Sequence, residues 1–388
     1  MSKIKILHCA DVHIGAELVS IGNKARQRKE EILMTFDNIV SICKDESIQL
    51  LLIAGDLFQG SNMDKNIVRG VKKSLGNIHN TIVAISPGNH DYISIDSPFL
   101  DEDWPDNVYI FKSKLEFIEF KEIGLRVWGA GFTSTYVTSS MLDKVDVPSD
   151  DMVNICVIHG DLISDNMASN YNPISLTQIR FSGMDYIALG HIHKRSQVLN
   201  VQNTYYSYSG CPEGQGFDEL GEKGVYVGTI TKGKCDLEFR ITCKRMNVEL
   251  PVDISGASTN NEVSEIILKT IKIKYGQFYS KHLYKVILEG DLDANFKLDF
   301  EAVGIRLENE VYFIKFRDET HIEIDIKSLA KEASLKGIFV KKILEKINKS
   351  IDSGKDDSAN QYRKALYIGL KAFEDRKSTR LNSSHNHD

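Results

Sequence analysis

Five times in its first half the sequence ends an apolar run in a burst of Asp, Asn, His and Gly. The runs are IKILHCADVH (4–13), LLIAGD (51–56), TIVAISPGNHD (81–91), VNICVIHGD (153–161) and DYIALGHIH (185–193). Asp11 and His13 stand two apart after the first run, and Asp56 closes the second. Asn89, His90 and Asp91 follow a Ser-Pro-Gly turn, His159 closes the fourth run, and His191 and His193 follow Gly190. Seven of these residues, Asp11, His13, Asp56, Asn89, His159, His191 and His193, suffice for two metals. A carboxylate such as that of Asp56 can bridge two cations with its two oxygens. Neutral imidazoles supply nitrogen ligands, and Asn89 supplies a neutral carbonyl oxygen. Two cations about 3.5–4 Å apart suit in-line displacement at phosphorus, with an activated water attacking and charge on the non-bridging oxygens neutralised. A lone D-x-H or GDLF is commonplace in surface loops. Five such endings, each after an apolar strand, point instead to one dinuclear centre. The remaining histidines (His8, His79, His282, His321, His385 and His387) stand outside these clusters and read as structural or surface groups. The six scattered cysteines read as core residues rather than ligands.

The elements that must position these residues make an α/β first half. Each apolar run reads as a buried strand with its motif at the carboxyl end, where sheets of this class gather ligands. Gly55, Gly88, Gly160 and Gly190 let the backbone turn there. Between the first two strands, Ile32, Phe36, Ile39, Val40 and Cys43 recur at helical spacing within 24–46. Further helices fit 64–79 and 175–182, and strands and hairpins fit 107–129 and 203–243. From about 245 the pattern becomes that of a small α+β domain: a helix at 262–275, a strand at 283–289, a helix at 298–308 and a strand at 310–317. In 327–374 two amphipathic helices are expected. One stripe is Leu335, Ile338, Phe339, Ile343, Leu344 and Ile347; the other is Tyr362, Leu366, Leu370 and Phe373. A polar loop (350–361) separates them, and with no evident home in the chain the stripes are expected to dock a partner. Residues 375–388 resemble the translation of a sequencing-adapter oligonucleotide and are read as a non-native tail.

Composition narrows the class. The 388 residues are 42% hydrophobic and 26% charged, which excludes a mainly disordered chain, a collagen-like repeat and a polytopic membrane protein. The N-terminus turns polar at residue 11, too soon for a secretory signal, and the cysteines form no C-x-x-C pair. A cytoplasmic protein with reduced thiols and no membrane association is expected. The net charge of −6 is uneven: 327–374 carry 11 basic against 6 acidic residues, and 1–326 carry 34 against 46. So acidic a body should hold nucleic acid weakly by itself. No G-x-x-x-x-G-K-[ST] loop is present, so any ATP must be bound by a partner.

The order D-x-H, G-D, G-N-H-D, H-G, G-H-x-H resembles that of the calcineurin-like metallophosphoesterases. The flanking sequences ADVHIG, IAGDLF, SPGNHDY and LGHIHKR are most similar to the SbcD/YhaO-type DNA repair nucleases, as is YSYSGCPEGQGFDELGEKGVY (206–226). The likeness covers 1–244 in detail and 245–374 in layout. It implies a β-sandwich flanked by helices in four αββα layers (1–244), a small α+β capping domain (245–326) and C-terminal helices (327–374). It further implies one metal on Asp11, His13, Asp56 and His193 and a second on Asp56, Asn89, His159 and His191. His90 would then be catalytic rather than ligating, and Asp91 would accept a bond from its imidazole. The ligand types suit Mn, Fe and Zn alike; the resemblance implies two Mn²⁺. It also implies a homodimer, DNA as substrate and an SbcC-like coiled-coil ATPase docking on 327–374. The alternative is the same metal core acting on a phosphomonoester, a small phosphodiester or a phosphoprotein. Gln59 stands where some nuclease homologues carry a His, so any strand-steering role of that His does not carry over.

Overall fold

The computed structural model describes residues 2–101, 103–143, 145–164, 167–293, 296–322, 326–353 and 356–382. Contacts divide the chain into two compact units. One comprises 1–251 with 267–287 and 304–317; the other comprises 252–266 with 288–303 and 318–388.

The first unit opens with β1 (Lys3–Cys9), α1 (Ala25–Asp45), β2 (Leu50–Ile53), α2 (Lys65–Gly76), β3 (Ile82–Ile85) and β4 (Val108–Ile110). There follow β5 (Glu116–Phe120), β6 (Leu125–Gly129), β7 (Val153–His159), the short pair β8 (Leu162–Ile163) and β9 (Ile174–Ser175), and α3 (Leu176–Phe181). Then come β10 (Tyr186–Gly190), β11 (Leu199–Val201), β12 (Thr204–Tyr208), β13 (Gly224–Thr231) and β14 (Lys234–Ile241). Among the described residues these strands make two six-stranded sheets, ordered β14-β13-β1-β2-β3-β4 and β11-β12-β10-β7-β6-β5.

Side chains alternate across these strands, and the alternation builds the layers. Ile4 and Ile6 of β1, with Leu50 and Leu52 of β2, face Val153, Ile155, Val157, Tyr186 and Ala188 of the second sheet. Leu7, Cys9, Leu51 and Ile53 point the other way, onto Phe36 and Ile39 of α1 and Val68, Val71 and Leu75 of α2. On the far face of the second sheet, Cys156, Ile158, Ile187 and Leu189 pack with Ile179 of α3. The result is the expected αββα sandwich. His8 lies between the sheets, its Nδ1 2.8 Å from the Tyr186 hydroxyl and its Nε2 3.2 Å from the Leu189 carbonyl oxygen. Burial drives its pKa down to about 3, so it is a neutral core group.

Both sheets are parallel where the site needs them to be. Cys9 pairs with Ile53 and Ile53 with Ile85, so β1, β2 and β3 end level with one another. Gly190 pairs with His159, so β7 and β10 do the same in the second sheet.

After these come β15 (Asn247–Asp253), α4 (Asn260–Tyr275), β16 (Leu283–Leu292), α5 (Phe300–Leu307) and β17 (Phe313–Ile322), with a three-stranded sheet ordered β15-β16-β17. The chain continues with α6 (Ile326–Leu329), α7 (Leu335–Asp352) and α8 (Asp356–Asn382). The two long helices differ from expectation in two respects. Most of their stripes find a home in each other: Val340 and Ile347 of α7 form a core with Leu366 and Leu370 of α8, and Phe339, Ile343, Leu344 and Tyr362 pack against it, while Leu335 and Ile338 stay exposed. An added Cβ on Gly369 would lie 2.2 Å from the Phe339 ring, so this glycine lets the helices close. The expected loop at 350–361 is also mostly helical. Asp356 and Asp357 sit in the first turn of α8, where negative charge is favoured, and Ala359 is buried. Residues 354–355 of that stretch lie outside the described residues, and so does 383–388 of the expected tail; α8 takes in 375–382. Among the described residues no helix is long and apolar enough to cross a membrane.

Candidate metal centre

The sandwich brings the two sets of strand ends together. Asp11, His13, Asp56, Asn89 and His90 come from the first sheet; His159, His191 and His193 come from the second. Backbone bonds splice the loops. Asp11 N–H donates to the Gly55 carbonyl at 3.0 Å, His13 N–H to that of Asp56 at 2.9 Å, and Gly160 N–H to that of Gly190 at 3.1 Å. The glycines serve close approach as much as turning. A Cβ on Gly190 would stand 1.7 Å from the Ala54 carbonyl oxygen, and one on Gly88 would stand 2.3 Å from Asp56 Oδ1. Much of the turning falls to the site residues themselves. Asp11, His13 and Asp56 hold φ of 53°, 51° and 50°, and His191 holds 103°. Such conformations cost of order 1–3 kcal/mol each and gather at functional sites.

All seven expected ligands converge. His13 Nε2 lies 3.1 Å from His193 Nε2. Asn89 Oδ1 lies 2.9 Å from His159 Nε2 and 3.0 Å from His191 Nδ1. Ligand atoms of Asp11, His13 and His193 lie within 4.8 Å of one another, as do those of Asp11, Asp56 and His159. Asp56 stands between the two groups. Its Oδ1 accepts the His90 N–H at 2.9 Å, while Oδ2 is 3.7 Å from His13 Nε2 and 3.5 Å from His159 Nε2. One oxygen, rather than the two expected, thus faces both groups. His90 is exposed at the rim, with ring atoms within 4.8 Å of ligand atoms of His13 and Asp56.

The electrostatics follow from burial and crowding. Burial presses the His13 and His191 imidazoles down to about 4, so at neutral pH both offer lone pairs. Burial raises the Asp11 carboxyl to about 6 against the pull of His159 and His193. Burial also pushes Asp56 upward, but the His159, His13 and His90 rings outweigh it and hold that carboxyl below its usual value. For His193 burial acts downward; the bond to Glu219 and the charges of Asp11, Glu219 and Asp56 overcome it and hold the ring near 9. Buried nitrogens and oxygens facing one another so closely fit two divalent cations. The buried His13 Nδ1 has no hydrogen-bond partner.

Asp91 corrects an expectation. Its buried carboxylate accepts the Gly88 N–H at 2.7 Å and the Phe58 N–H at 3.1 Å, so it braces the loops rather than the His90 ring. The side chain near His90 is Gln59, whose Nε2 is 3.4 Å from His90 Nδ1. Three partners of the site were not read from the sequence. The Ala54 carbonyl oxygen lies 2.9 Å from His159 Nδ1, Asp161 Oδ1 lies 3.3 Å from His191 Nε2, and Glu219 bonds His193 Nδ1. Asp161 was visible as the last residue of VNICVIHGD. Glu219 lies far down the chain, inside the 206–226 segment whose resemblance had been noted.

Residues 4–195 match the family of calcineurin-like phosphoesterases. The chain is 26% identical over 301 residues to the uncharacterized metallophosphoesterase YhaO of Bacillus subtilis, covering 75% of this chain and 72% of that one. It is 23% identical over 340 residues to the DNA double-strand break repair protein Mre11 of Saccharolobus solfataricus, covering 83% and 84%. The solved structure of TT1561 of Thermus thermophilus aligns with 62% of this chain and all of its own, at 10% identity and a TM-score of 0.38. The superfamily uses a dinuclear metal centre, and the activity it defines is metal-dependent hydrolysis of phosphoesters.

Proposed function

We propose that this chain is a dinuclear-metal-dependent DNA nuclease that hydrolyses phosphodiester bonds in double-strand-break repair, acting with an SbcC-like coiled-coil ATPase. The observation that carries the reading is the convergence of seven nitrogen and oxygen ligands from two sheets around Asp56, with His90 exposed beside them. The Mre11 similarity supports DNA as the substrate, because it extends well beyond the 4–195 phosphoesterase match and covers 84% of that repair protein.

In this reading Asp11, His13, Asp56 and His193 hold one cation, and Asp56, Asn89, His159 and His191 the other. Divalent ions bound there, Mn²⁺ in our reading, supply Lewis acidity at the scissile phosphate. The chain does the rest. His90 N–H fixes Asp56 Oδ1 and so aims Oδ2 at both groups. His90, as an imidazolium, would deliver a ring proton to the leaving 3′ oxygen and be left a neutral imidazole. The exposed flanks of the α7–α8 pair, including Leu335, Ile338 and Ile368, are the proposed seat of the ATPase. The net +5 of 327–374 would aid contact with DNA phosphates.

The test is cleavage of end-labelled duplex oligonucleotides by metal-free protein reloaded with Mn²⁺, set beside turnover of p-nitrophenyl phosphate. Cleavage of the duplex with slow monoester turnover is the expected result. Rapid monoester turnover with intact DNA would refute the substrate and leave the metal centre standing.

A further inference from the structure

Each imidazole at the centre has a second ring nitrogen, and the four rings settle it differently. That of His159 meets a backbone carbonyl, and that of His191 meets the partly exposed Asp161. That of His13 meets nothing. The second nitrogen of His193 is hydrogen-bonded to a deeply buried carboxylate, that of Glu219, whose exposure is 6%, whereas His159 Nδ1 comes no closer than 4.0 Å to the buried Asp11 carboxylate.

Glu219 is fixed from several sides. Its Oε2 accepts the Gln215 N–H at 2.6 Å and lies 3.5 Å from the Cys211 thiol. Its own N–H donates to the Gly216 carbonyl at 3.1 Å. The same segment anchors the backbone of His193, whose carbonyl accepts from Cys211 N at 3.2 Å and from Lys223 Nζ at 3.1 Å. Ring and carboxylate are therefore locked against each other by 209–223, a stretch that supplies none of the seven proposed ligands.

We propose that Glu219 is a positioning residue for the cation held by Asp11, His13, Asp56 and His193. It keeps the ring proton on Nδ1 and the Nε2 lone pair aimed at Asp11 and His13. The inference rests on the dinuclear reading and adds an outer ligand partner to one half of it. A carboxylate acceptor fixes the tautomer and strengthens the ring as a donor, and removing such a partner costs roughly 10- to 100-fold in metal affinity. The loss falls on one cation only, because His159 and His191 take their second partners elsewhere.

Mn²⁺ titration of the metal-free full chain tests this, comparing wild type with Glu219→Gln. The wild type should bind two ions. Glu219→Gln should bind one with unchanged affinity and the other about 10- to 100-fold more weakly. Metal-free Glu219→Gln should keep the wild-type far-UV circular dichroism, which separates weakened metal positioning from loss of the fold. Two ions bound at wild-type affinity by Glu219→Gln would overturn the proposal. If that variant does not fold, nitrogen-15 spectra of the Zn²⁺-loaded wild type decide. A His193 ring protonated at Nδ1, with a strongly hydrogen-bonded proton, supports the proposal; a ring protonated at Nε2 overturns it. A wild type that binds no ion would instead overturn the dinuclear reading itself.

Discussion

Neighbouring residues of the G-N-H-D turn have separable duties. Asn89 faces two imidazoles, His90 faces solvent, and Asp91 faces backbone. Substitutions should therefore divide cleanly. Asp56→Asn removes the shared negative charge, so bound metal should fall and activity vanish, as elemental analysis and a cleavage assay will show. His90→Gln should keep its metal and lower turnover by about 10²-fold or more, the scale of a positioned acid. Asp91→Asn leaves a buried backbone N–H facing an amide NH₂. It should destabilise the fold by about 1–3 kcal/mol in urea titration, a cost His90→Gln does not incur. The convergence of the seven candidate ligands was legible because their types are rare in such spacing after apolar strands. The role of Asp91 was not, because a carboxylate beside a histidine looks the same in sequence whether it serves the ring or the loop. Glu219 was illegible for a related reason: nothing local in a surface-like G-F-D-E turn marks one acid as buried.

The first-half strands could be read from their apolar runs and level motifs. The C-terminal helices were harder, because an amphipathic stripe states that a face must be covered but not by what. In α7 and α8 the stripes cover each other except at Leu335 (71% exposed) and Ile338 (52%) at the start of α7, and Ile368 (71%) of α8 is also left open. Two classes of substitution follow. Phe339→Glu buries a charge against Gly369 and should separate the helix pair, seen as lost helicity at the C-terminus. Ile338→Glu should leave melting unchanged and weaken capture of the proposed coiled-coil ATPase in a pull-down; equal capture would place docking elsewhere. Among the residues of α8 whose burial is described, those in the core of this pair, Leu366 and Leu370, precede 375. Deleting 375–388 should therefore change neither melting temperature nor cleavage, and a fall of several degrees would tie the tail to the fold.

Across the whole molecule, the centre draws on both faces of the sandwich, and each proposed cation takes ligands from both sheets. Metal should therefore stabilise the assembled sandwich. Chelation should lower the melting temperature, and Mn²⁺ should restore it. One site held at 100 times its dissociation constant contributes about 2.7 kcal/mol. The same arrangement orders events during synthesis. The first sheet places β13 and β14 beside β1, so it closes only after residue 241 has left the ribosome, and His191 and His193 appear well after Asp11 and Asp56. A half-made chain offers scattered carboxylates and one or two imidazoles, too poor a set to retain a transition metal. In the proposed reading, metal would be acquired only once this part of the chain has been made, and shorter nascent chains would be inactive.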